Sequence, residues 1–157
     1  MSVSLDVRIR GIEGAQRRLD QVSLTSPEFK QGMRKAVESV KRQVQRNLTG
    51  GNPLNVRTGL LRRSVKGRVI RKRKAYEGIV GPQRVPYARI HELGGIIRPK
   101  RAKALVFKIG NRWIRTQKVT MPKRPYLKPA ALKKSKAVAK ILGKAIVGAN
   151  SQGRLPL

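Results

Sequence analysis

The sequence predicts an α+β fold, with a small, mostly antiparallel sheet packed against a long central helix and a C-terminal helix. Three observations lead there. Short stretches near residues 3–9 and 105–114 alternate apolar and polar side chains, the period of a half-buried strand, and Ser64–Ile70 and Ala75–Val80 show a looser strand-like pattern. Residues 29–48 carry apolar side chains at spacings of three and four. A second helical pattern, rich in lysine, follows a proline-rich passage near the C-terminus.

In chain order, Val3, Leu5, Val7 and Ile9 alternate with Ser4, Asp6, Arg8 and Arg10, a strand that Gly11 ends. Ile12, Ala15, Leu19 and Val22 fit a short helix interrupted by Gly14. Ser26-Pro27-Glu28 combines a capping hydroxyl, a proline suited to the first helical position and a first-turn acid, so a helix of about 20 residues starts there. Its stripe is Phe29, Met33, Ala36, Val37, Val40, Val44 and Leu48, with Lys30, Arg34, Lys41 and Arg42 off it. Gly50-Gly51-Asn52-Pro53 stops the helix, and residues 50–59 read as a loop.

Two strands, Ser64–Ile70 and Ala75–Val80, flank the basic tip Arg71-Lys72-Arg73-Lys74. Pro86–Gly95 suits a short helix whose inward face takes Tyr87, Ile90 and His91 or Leu93, with Gly94 as a left-handed cap. Leu105, Phe107 and Ile109 alternate up to Gly110-Asn111, a two-residue hairpin signal, and Trp113-Ile114 begins the return strand. Pro122, Pro125 and Pro129 hold the chain extended. Pro129 opens the last helix, with Ala131, Ser135, Val138, Leu142 and Ala145 inward and Lys133, Lys136, Lys140 and Lys144 outward. One domain is expected over 1–147, with a flexible tail over 148–157.

The composition narrows the function. Cysteine is absent, which excludes disulfides and thiolate metal sites and suits a reducing compartment. No window approaches the roughly 20 apolar residues of a membrane span. The N-terminus lacks the continuous apolar run of a secretory signal. A soluble protein made in a cytoplasm is expected. The formal net charge is +31, and it is uneven. Residues 1–30 carry five basic and four acidic side chains, which leaves 33 basic (38 − 5) and three acidic (7 − 4) for the rest. Such a surface attracts polyanions, nucleic acid first among them, with an acidic protein partner or an anionic membrane surface behind it.

The one histidine, His91, stands beside Glu92. A zinc-protease motif would need a second histidine one turn later, where Gly95 stands. No Gly-x-Ser-x-Gly elbow, phosphate-binding loop or dinucleotide motif is present, and the three acids after residue 30 poorly supply a metal-dependent nuclease. The expectation is no catalysis, metal or cofactor. Glu92 is expected to project from the last turn of its helix, where the dipole disfavours it, and to be held by an arginine or lysine.

Three segments together resemble one family. Val56-Arg-Thr-Gly-Leu-Leu-Arg-Arg-Ser-Val65 looks like a "(V)xTGxLRxSI" element, Tyr87-Ala-Arg-Ile-His-Glu-Leu-Gly-Gly95 like "YAxxxEfGg", and Met121-Pro-Lys-Arg-Pro-Tyr-Leu-Lys-Pro-Ala-Ala-Leu132 like "iPaRPfLrPAl". In this order they are similar to the tail-completion, or head–tail joining, proteins of long-tailed bacteriophages and prophages, over residues 27–145 or so. The insertion with the Leu105–Ile114 hairpin resembles one carried by some members. The resemblance implies a structural virion protein rather than an enzyme, assembled in the host cytoplasm. It would form a homo-oligomeric ring at the neck or head-proximal tail end and contact other neck and tail proteins. The matched positions Thr58, Gly59, Leu61, Tyr87, Glu92, Gly94, Arg124, Pro125, Leu127 and Pro129 then carry architecture, with Thr58-Gly59 launching a strand and Tyr87, Leu93 and Leu127 in the core.

A basic ring lumen would suit DNA leaving the capsid, with Arg62, Arg63, Lys66, Arg68, Arg71, Lys72, Arg73 and Lys74 as contact candidates and the C-terminal lysines as a second set. The alternative is a cellular nucleic-acid-binding module of the ribosomal-protein kind. Exposed aromatics among the cations would mark it. The six aromatics of this chain are expected to be mostly buried, which withholds that mark.

Overall fold

The computed structural model describes residues 7–9, 24–50, 54 and 58–151. The expected helix at Ile12–Val22, most of the strand at Val3–Ile9 and most of the 50–59 loop lie outside them.

The long central helix, α1, runs Pro27–Asn47. Ser26 caps it, its Oγ accepting from the Phe29 N–H at 3.1 Å, and the first turn carries Pro27 and Glu28. The apolar stripe from Phe29 to Leu48 is buried. Strands β1 (Val7–Ile9), β2 (Val65–Arg71) and β3 (Tyr76–Pro82) form an antiparallel sheet in the order β1-β3-β2. The register pairs Arg71 with Tyr76, so residues 72–75 form the basic tip that the sequence predicts. Val65, Val69, Tyr76 and Val80 join α1 in the core, and the period of two sends Lys66 and Arg68 to the opposite face.

Thr58-Gly59 does not lead directly into a strand. A short helix, α2 (Leu60–Ser64), intervenes, with Gly59 at φ +69° before it and Leu61 half-buried against the core. Helix α3 (Ala88–Leu93), strand β4 (Gly95–Ile97), the hairpin β5 (Leu105–Ile109) and β6 (Arg112–Thr116), and strand β7 (Val119–Met121) follow. β4 pairs with β7 and β5 with β6, both antiparallel.

The last helix, α4, runs Leu127–Ser151 and packs along α1. It starts two residues before Pro129 and continues through Gly148, where the sequence predicts a flexible tail. Its buried face holds Leu127, Ala130, Val138 and Leu142, with Ile141 and Ala145 partly buried. Ser135, expected inward, is exposed because the stripe from Ala130 to Val138 passes through Lys134 instead. Lys133, Lys136, Lys140 and Lys144 are exposed as expected.

Candidate functional site

Two places concentrate the residues singled out by the sequence: the junction of α3 with α4, and the basic surfaces.

At the junction, Glu92 is 5 % exposed and points at the start of α4. Its Oε2 accepts from the Tyr126 and Leu127 N–H groups at 2.7 and 2.9 Å, and its Oε1 from the Lys128 N–H at 2.9 Å. A helix start leaves four N–H groups without partners inside the helix. Here one carboxylate takes three, and Pro129 has no fourth to offer. The positive end of the helix dipole favours the charge. The expected arginine or lysine partner is therefore replaced by backbone amides, and Glu92 caps the next long helix instead of opposing its own.

Tyr126, 0 % exposed, is held through all its polar groups. Its carbonyl accepts from Asn47 Nδ2 of α1 at 3.0 Å, and Gln43 Nε2 fixes that amide by donating to Asn47 Oδ1 at 2.9 Å. Its hydroxyl donates to the Ala88 carbonyl at 3.3 Å, and burial, with the Glu92 charge nearby, pushes its ionisation well above the usual phenol range. Gln43, Asn47 and Tyr126 were not singled out from the sequence. The third motif does contain Tyr126, but nothing local marks its partners.

The rest of α3 departs from expectation. Ala88 and Glu92, one turn apart, face inward, so Tyr87 and Leu93 are exposed instead of packing in the core, whereas Leu127 is buried as expected. Gly94 ends the helix, its N–H donating to the Ile90 carbonyl at 2.8 Å. It has the positive φ of a cap, +69°, but ψ is −176°, so the conformation is extended rather than left-handed helical. That region is essentially restricted to glycine. A Cβ there would also lie 3.0–3.2 Å from the Lys123 and Met121 backbone. The Arg124 N–H donates to the His91 carbonyl at 2.8 Å, the Arg124 side chain is exposed, and Pro125 is half-buried beside Tyr126.

His91 points away from Glu92, since successive helical residues do not share a face. Its ring meets the Tyr87 ring edge-on at 5.7 Å, and its Nδ1 is buried without a hydrogen-bond partner. Burial, helped by the Arg124 charge, lowers its pKa. The two residues do not form a proton-transfer pair. Among the described residues, no three or more His, Asp and Glu side chains gather as metal ligands. No helix among those residues is long and apolar enough to cross a membrane.

The cations do not form one patch. Lys66 and Arg68 lie on the sheet face turned away from α1, and Arg71–Lys74 are exposed at its tip, with Lys72 Nζ 3.7 Å from Glu77 Oε2. Arg62 and Arg63 are exposed on α2, and Arg63 Nη2 is drawn back to the Thr58 carbonyl at 3.0 Å. The C-terminal lysines belong to the helix side. There, an open groove of about 540 Å³ is lined by Arg34, Lys35, Arg42 and Arg46 of α1 and Lys134 of α4. The four-residue period of Arg34, Glu38, Arg42 and Arg46 on one face of α1 was the signal that could have found it. Glu38 shares the groove, but its hydrogen bond to Lys41, together with Arg42, holds its pKa below the usual range.

One expectation about aromatics fails. Phe29 and Tyr126 are buried, but Trp113 on β6 is 72 % exposed, among Lys108, Arg112 and Arg115. The chain matches no protein-family model, no curated protein and no solved structure.

Proposed function

We propose that this chain is a structural protein of a long-tailed bacteriophage virion, acting in tail completion or head–tail joining as a homo-oligomeric ring at the neck or head-proximal tail end. The observation that carries the reading is the clasp between the second and third motif segments. They are 34 residues apart at Glu92 and Tyr126, yet they meet through Glu92, Tyr126 and the β4–β7 pair. Among the matched positions, Glu92 and Leu127 thus help fix the start of α4 against α3, a rigid joint that suits a protein held in an assembly. The basic tip and the outer sheet face supply cations for DNA threading the ring, by phosphate neutralisation that is independent of sequence.

Electron microscopy of the purified protein and of the assembled particle tests this. A closed ring, or density at the neck or tail end, is the expected result, and an undecorated particle would overturn the reading. In a neck reconstruction, some of Lys66, Arg68 and Arg71–Lys74 should lie within about 8–10 Å of DNA density, the Debye length at physiological salt. The exposed Trp113 favours the second reading, a cellular nucleic-acid-binding module. A monomer that co-purifies with cellular RNA and forms no ring would support it.

A further inference from the structure

The β5–β6 hairpin stands apart from the core. Its strands pair with each other and make no comparable contact with α1, α4 or the three-stranded sheet. Gly110, at φ +57°, occupies the first central position of its turn, where a type II′ hairpin requires positive φ. Five residues per strand at about 3.4 Å each make an arm roughly 17 Å long. Both of its faces carry exposed apolar groups beside cations. The register sets Trp113 across from Lys108 and Arg115 across from Val106 on one face, with Arg112 across from Ile109 at the tip. Trp113, Val106 and Ile109 are 72, 61 and 60 % exposed. No acidic residue follows Glu92 in the chain, so no carboxylate on the arm opposes an approaching anion.

We propose that this hairpin is a DNA-contacting arm that enters a groove of duplex DNA. Lys108, Arg112 and Arg115 meet phosphates, and Trp113, with Ile109 at the tip, lies against sugars and base edges. The major groove, about 12 Å wide, admits a two-stranded ribbon. Apolar side chains carried into a groove displace water and can wedge between base steps. A second copy of the chain is a poor occupant, since both surfaces would be strongly cationic. Single-stranded nucleic acid is less suited, because it binds along successive aromatic platforms and this arm offers one indole. The proposal rests on the DNA contact suggested above and adds a second contacting element, separate from the β2–β3 tip.

Trp113 is the sole tryptophan, so fluorescence reads the arm directly. The full chain is titrated with a duplex of about three helical turns, ~10.5 bp each. The expected result is quenching of Trp113 with a shift to shorter wavelength. Replacing Lys108, Arg112 and Arg115 with serine should reduce the log–log salt slope of binding by about 2.7, at roughly 0.9 for each duplex phosphate that is no longer neutralised. Serine at Arg71–Lys74 should leave the tryptophan signal in place. Duplex binding with unchanged Trp113 emission overturns the proposal. An equal response to poly-L-glutamate, abolished in the same triple variant, also overturns it and assigns the arm to an acidic protein. Ring formation is scored separately by microscopy, so the failure of one reading is distinguishable from the failure of the other.

Discussion

The α3–α4 clasp and the β5–β6 arm lie within 40 residues of each other and are built on opposite terms. In the clasp, every polar group of Tyr126 and both oxygens of Glu92 are hydrogen-bonded, and the surroundings are buried. On the arm, large apolar side chains and cations stand in solvent. The clasp does its work inside the folded chain, whereas a two-stranded hairpin of this length is only marginally stable by itself and needs something to cover it. The buried clasp therefore specifies the scaffold, and the exposed charge marks surfaces where a partner would act. Substitutions should separate the two: those in the clasp change stability, those on the arm change binding.

The largest effect is expected from Glu92→Ala. It strands three amide donors at the start of α4, at about 1 kcal/mol each, or about 3 kcal/mol in all. At roughly 2–4 °C per kcal/mol for a chain of this size, the melting temperature should fall by about 6–12 °C. Glu92→Gln should fall between, because it keeps one acceptor and turns a donor toward amides. If both variants melt like the wild type, the clasp does not stabilise the fold.

Gly94→Val comes next. It forces a branched residue into a glycine-only conformation, at about 2 kcal/mol, with close approach to the Lys123 backbone. An unchanged thermal melt would show that this segment relaxes freely. Tyr126→Phe removes a single hydrogen bond, the one to Ala88, and should cost about 1 kcal/mol, read from denaturant midpoints at constant m.

On the arm, Trp113→Ser should change stability by no more than about 0.5 kcal/mol, while weakening duplex binding in a gel-shift titration. A large loss of stability would mean that the arm belongs to the core after all. The smallest effect is expected at His91, whose replacement by glutamine should leave assembly intact. Its folded pKa lies below the ordinary 6.5, so its contribution is present above that pH and is lost as pH falls through the folded value. Melting temperatures of His91→Gln should therefore decline less than those of the wild type between about pH 7 and 5. Parallel pH profiles would remove His91 from the acid-side loss of stability.

The sequence by itself determined the elements whose causes are local. Ser26-Pro27 and the stripe from Phe29 set α1, the alternations at Leu105–Ile109 and the Gly110-Asn111 turn set the second hairpin, and the basic tip fell between two strands as predicted. The imbalance of charge is likewise a property of composition. Tertiary structure alone decided where Glu92 points, that Asn47 would reach Tyr126, and which faces of α3 and of the arm stay open. The reasons are physical. The donors that hold Glu92 are backbone amides more than 30 residues away. Every residue but proline carries such an amide, so a carboxylate's choice among them leaves no mark in the sequence. Alternation shows that the two faces of a strand differ, and only packing decides whether either face is covered.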